Sequence, residues 1–203
     1  EVRPYELGHL AAVDLFASTW GDPRVAHLIV SFVFSDVPPL AFSIETRREQ
    51  SERWSILAGF MKSYEIILIA ADERDVVRVR TNVRGEQVAR YRLKSTPQMR
   101  RKLLTLYVEH MNDLARRPRF YNTVLRNCTT EVVRILSAAG RRVPLDWRVL
   151  VSGHVPRYLH ELGLLEDTRP FAEVAADANI VAAAQAAQDD VDFWKRIREP
   201  RHP

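Results

Sequence analysis

The sequence predicts an α+β domain in which a roughly five-stranded, mostly antiparallel sheet comes first and helices pack on it afterwards. Three observations carry this expectation. Residues 25 to 93 hold short β-branched and apolar runs separated by turn signals, helical spacing takes over after Pro97, and a 46 % hydrophobic content in 203 residues is enough to build a core.

Taken in order, Glu6 to Ser18 (ELGHLAAVDLFAS) has apolar residues at helical spacing and is expected to form a short amphipathic helix, closed by the Gly21-Asp22-Pro23 turn. Val25 to Phe34 and Leu40 to Arg47 read as a strand pair around a Ser35 to Pro39 turn. Glu65 to Ala71 (EIILIAA) is a continuous apolar run, which suits a central strand buried on both faces. Asp75 to Thr81 (DVVRVRT) alternates and is expected to pair with Gln87 to Leu93 across a turn at Gly85.

Leu103, Leu104, Tyr107, Val108, Met111 and Leu114 then fall on one helical stripe that ends before Pro118. A second helix is predicted from Cys128 to Ala139, with Gly140 as its stop, and a short one from His154 to Leu162, closed by Gly163. From Phe171 to Arg198 the Ala-rich chain reads as helix with little apolar bulk to bury. The expected organisation is a domain over residues 1–168 and a helical extension over 169–203.

Composition excludes several classes of function. The net charge is +4, and 26 of the 30 cationic residues are Arg, a type suited to bidentate recognition of phosphate or carboxylate. No basic run interleaved with aromatics points to nucleic acid. The apolar stretch Val25 to Phe34 is roughly half of what a membrane-spanning helix needs. The chain starts at Glu1 without a basic and apolar leader, as a processed product or excised fragment would. One cysteine precludes an intrachain disulfide, and the six histidines lack metal-ligand spacing, so neither metal nor cofactor is expected.

That cysteine, Cys128, stands at the predicted start of a helix, within Asn127-Cys128-Thr129-Thr130. Unpaired backbone N–H groups and the helix dipole favour a thiolate there, and the same groups can stabilise an oxyanion. His27 is the candidate base, because it alone of the histidines lies in a predicted buried strand. Ser43, Glu45 and Arg47 share one face of the next strand, and an even register across the turn sets Glu45 beside His27; an odd register turns it away. The bland alternative is a small buried cysteine and a satisfied core histidine.

In the predicted 75–93 hairpin, Arg78 and Arg80 face Arg90 and Arg92. Four guanidinium groups on one face need acids or phosphate to balance them. A lipid headgroup site is the functional reading. Pairing with Asp72, Glu73, Asp75 or Glu86 is the structural one.

The stretches AHLIVSFVF, AFSIETRRE, ADERDVVRVRTNVR and FYNTVLRNCTTEVVRIL resemble the Lnb N-terminal periplasmic domain family, and the likeness extends through VPLDWRVLVSG and ELGLL, over roughly residues 5 to 165. The resemblance implies a circularly permuted papain-like fold, with the histidine strand ahead of the cysteine helix. It also implies a periplasmic domain, tethered to the inner membrane by segments outside this chain. The implied activity is thiol-dependent transfer of a fatty acyl chain within bacterial lipoproteins, with a lipoprotein or phospholipid substrate at a membrane surface.

On that likeness Cys128 and His27 take the catalytic roles and Glu45 the third, while Asn127, Thr129 and Tyr121 support the site. A cysteine peptidase or amidase acting on cell-envelope peptides, and a non-catalytic domain that binds lipid or a partner protein, are the alternatives.

Overall fold

The computed structural model describes residues 3–47, 65–118, 128–140, 142–144 and 146–199, with the side chains of residues 46, 47, 128 and 131 outside that set. Five antiparallel strands form one open sheet: β1 (Leu10–Thr19), β2 (Ala26–Phe34), β3 (Leu40–Arg47), β4 (Glu65–Asp72) and β5 (Gln87–Arg92), in the order β4-β3-β2-β1-β5. Eight helices accompany them among the described residues: α1 (Glu73–Val76), α2 (Pro97–Arg116), α3 (Cys128–Ala138), α4 (Trp147–Leu150), α5 (Val155–Glu161), α6 (Phe171–Ala178), α7 (Val181–Ala187) and α8 (Phe193–Arg196). The expected α+β class and the five-stranded count both hold.

The membership of the sheet differs from the expectation in two places. Residues 10–19 form a strand, not the expected helix, and every residue from Ala12 to Ser18 is buried. β1 lies between β2 and β5 with both faces covered, so the in-out alternation that marks a half-buried strand is erased. Pairing on both edges outweighs the helical preference of its three alanines.

Residues 75–81 form no strand. The chain leaves β4 into α1 and a wide turn at Val79–Val83, which carries Val77, Arg80 and Thr81 inward together. Arg80 finds two carboxylates on that side, and a period-2 arrangement would turn it away from them. β5 therefore pairs with β1. β4 exists as predicted but at the edge, where Ile69 is exposed, so its apolar run reflects cover from one side only.

One face of the sheet is covered by α2, α3 and α5. Leu28, Val30, Phe32, Phe42 and Ile44 meet Leu103, Tyr107, Val132, Leu136 and Leu159 in the main core. Phe32, Phe42 and Tyr107 pack edge-to-face or tilted with ring centroids 5.1 to 5.6 Å apart. Local signals agree with these helices. The Thr96 side chain accepts a hydrogen bond from the Met99 amide ahead of Pro97 at the start of α2, and Gly140, at φ +98°, closes α3.

The opposite face carries Phe16, Ile29, Ala41 and Val88, with Val77 beside them. Ile180, Ala184, Phe193 and Ile197 seal it. The Ala-rich 171–198 stretch is three short helices, not a single helix poor in apolar bulk. Phe171 and Val174 pack on the main core while Ile180, Phe193 and Ile197 serve this second one, and Ile180 donates its amide to the Val88 carbonyl at 2.9 Å.

Candidate functional site: a buried histidine at a sheet end

The β2–β3 register pairs Ile29 with Ser43 and Ser31 with Ala41, so it is even; continued by two residues, it sets Glu45 opposite His27. His27 is 8 % exposed. Its Nε2 lies 2.8 Å from the Ser43 hydroxyl and 3.2 Å from Glu45 Oε1. Ser43 Oγ donates to Glu45 Oε1 at 2.7 Å, so its hydrogen is engaged and its oxygen accepts from His27. Nε2 therefore carries a proton. In the neutral ring the basic lone pair is then on Nδ1.

Glu45 is itself held from the far side. Arg80 Nη2 donates to Glu45 Oε1 at 2.8 Å, and its Nη1 donates to Glu86 Oε2 at 3.0 Å. Ser18, opposite His27 across the β1–β2 ladder, donates its hydroxyl to the same Glu86 oxygen at 2.5 Å. Burial pulls the Glu45 carboxyl up, but the hydrogen bond and charge of His27, then the Ser43 hydroxyl and the Arg80 charge, outweigh it and lower its pKa to about 2. A recess of about 270 Å³ lined by Trp20, Arg84 and Glu86, among others, opens beside this cluster.

The four arginines expected on one hairpin face are dispersed, because that hairpin does not form. Arg78 reaches exposed Asp189, Arg80 is in the cluster just described, and Arg90 and Arg92 both face Asp14. Of the acids proposed from sequence to balance them, Glu86 pairs with Arg80. Asp14, which closes the other two, sits within the segment expected to be helical. Arg198 completes a second cluster, contacting Asp14 at 2.8 Å and Glu73 at 2.5 Å, while Ser31 donates to Glu73 at 2.5 Å. No local motif announces these partners, which come from segments up to 184 positions apart.

Cys128 is the first described residue of α3, in the helix expected from sequence. Its side chain, like Asn127 and Tyr121, lies outside the described residues. Thr129 is buried. Strand alternation sets His27 on the face of Ile29 and Ser31, whereas the apolar stripe of α3 packs with Leu28 and Val30 on the other. His27 is the second residue of β2, so a pair with Cys128 has to close around the end of the sheet.

Among the described residues no helix is long and apolar enough to cross a membrane, and no group of three or more His, Cys, Asp or Glu could hold a metal ion. The class defined by these features is an α+β domain with an open antiparallel sheet and, at one end of it, a buried histidine paired with a half-buried carboxylate. Residues 2–153 match the model of the Lnb N-terminal periplasmic domain. The chain belongs to that family, and its place is the periplasm. No curated protein and no solved structure matches it.

Proposed function

We propose that the domain is a thiol-dependent acyltransferase that moves a fatty acyl chain within or onto bacterial lipoproteins or lipids at the membrane surface. The observation that carries this reading is the fixed orientation of His27. Ser43 and Glu45 engage Nε2, so Nδ1 is the base, in a family domain whose sole cysteine opens a helix.

In this scheme Nδ1 takes the Cys128 thiol proton and the sulfur attacks the carbonyl carbon of an acyl ester. The tetrahedral oxyanion is met by the backbone N–H groups of Cys128 and Thr129, with Asn127 beside them. The imidazolium returns its proton to the departing alkoxide, leaving a thioester. An amine then attacks that carbonyl and loses a proton to Nδ1, and the sulfur leaves as thiolate. Glu45 stabilises the imidazolium in both halves.

Intact-mass measurement after incubation with bacterial phospholipid or a diacylated lipopeptide tests this. The expected result is an acyl-sized mass increment that is absent from Cys128→Ala and released by hydroxylamine. A wild-type chain that never gains mass, while its peptide-amide substrates are cleaved, would instead mark a peptidase.

A further inference from the structure

We infer that Arg80 and Glu86 are positioning residues for His27, acting through Glu45, so that one guanidinium held between two carboxylates fixes both the place and the charge of the imidazole. This deepens the acyltransferase reading and rests on it. The sequence leaves Arg80 two parts, a headgroup contact or pairing with an acid such as Glu86; its side chain is 5 % exposed and pairs with Glu45 and Glu86.

Oε1 of Glu45 is the convergence point, with Ser43 at 2.7 Å, Arg80 at 2.8 Å and His27 at 3.2 Å. Arg80 cannot swing away from it. Its other terminal nitrogen is tied to Glu86, whose Oε2 also accepts from Ser18, and the Glu86 amide donates to the Arg80 carbonyl at 2.9 Å. The planar fork bridges two carboxylates that approach from different strands and loops, which an ammonium on a flexible stem does less well.

The charge count gives the arrangement its sense. Glu45 and Glu86 contribute two negative charges, Arg80 one positive, and Ser18 and Ser43 none. Arg84, the remaining cation among the described residues, reaches Glu86 at 3.6 Å from an exposed position where water screens it. Among the described residues the cluster is thus one positive charge short, and a protonated His27 supplies it. An imidazolium favoured at rest is what a thiolate partner requires.

The test is a pH titration of the His27 ring by NMR in the full chain, its resonance assigned by loss in His27→Gln, alongside the rate of Cys128 alkylation by iodoacetamide. Cys128 is the sole thiol, so the alkylation rate belongs to one atom. Arg80→Gln removes the positive charge and is expected to raise the His27 midpoint by on the order of one pH unit; Glu86→Gln is expected to lower it by a similar amount. Arg80→Lys should bring the midpoint back towards wild type, which a purely structural loss would not do. Should Arg80→Gln fail to fold, Glu86→Gln still has to lower the midpoint while the charge-conserving Arg80→Lys leaves it near wild type, and a Glu86→Gln midpoint that stays put or rises overturns the inference.

Midpoints unmoved, or moved the same way, by both charge changes in folded variants would overturn the inference. Failure of the acyltransferase reading looks different. There His27 shifts as expected while Cys128 alkylation follows its own, unperturbed pH profile.

Discussion

Arg198→Ala removes the guanidinium that ties the last helix to the sheet, and its cost can be worked out contact by contact. Asp14 loses its bonds to Nε at 3.1 Å and Nη2 at 2.8 Å but keeps Arg92 at 2.5 Å. Glu73 loses Nη1 at 2.7 Å and Nη2 at 2.5 Å and, among the described residues, keeps only the Ser31 hydroxyl as a hydrogen-bond partner. Both carboxylate side chains are fully shielded from water. The loss therefore falls mainly on Glu73, a buried anion left without an ion-pair partner among the described residues and with Arg90 acting on it only through charge.

Removing one partner of such a pair costs about 3–5 kcal/mol, and at roughly 2–4 °C per kcal/mol for a chain of this size the melting temperature should fall by about 6–20 °C. Adding Glu73→Gln to Arg198→Ala should recover part of the loss, because the orphaned charge disappears. Thermal melts by circular dichroism at neutral pH measure both effects. A melting temperature within about 2 °C of wild type, or a double variant that recovers nothing, would refute the reasoning.

Two further outcomes follow from the histidine cluster. Glu45 has its folded pKa depressed to about 2, so its contribution to stability is present above the ordinary carboxyl value near 4.5 and is lost as pH falls from there through about 2; urea midpoints of Glu45→Gln should fall less steeply than wild type across that window. His27→Cys places a second thiol in a chain that has one. Mild oxidation or a short thiol cross-linker should join it to Cys128, seen as a single species by intact mass, because a disulfide forms only where Cα atoms lie about 4.4–6.8 Å apart. Two thiols that alkylate independently and never link would separate the proposed dyad.

The parts of the fold legible in the sequence are those whose signals are local. β2 and β3 are β-branched and aromatic runs on either side of a five-residue turn, which marks them as a strand pair; their register, open in the sequence, is the even one that buries Phe32, Phe42 and Ile44 on one side and sets His27 beside Glu45. α2 carries its own cap and stripe, and α3 ends on a glycine. The misread segments are those whose environment is supplied from far away. Residues 10–19 look helical because cover on both faces removes their alternation. The Val-Arg alternation of residues 76–80 looks like strand because nothing nearby reveals that Arg80 will meet Glu45, thirty-five positions earlier.

β1 explains why two charged clusters coexist on one sheet face without merging. Successive residues on that face are Asp14, Phe16 and Ser18, spaced roughly 6.6 Å apart along the strand. Ser18 binds Glu86 and joins the His27 cluster, Asp14 binds the arginines of the other, and Phe16 stands between them with Ile29, Val88 and Phe193 packed around it. The apolar layer keeps each set of charges paired within itself. Glu73 and Arg198 thus serve stability at one end, while Glu45, Arg80 and Glu86 are left to set the charge on His27 at the other. The segment that looks least like a strand is the one that divides the face into these two parts.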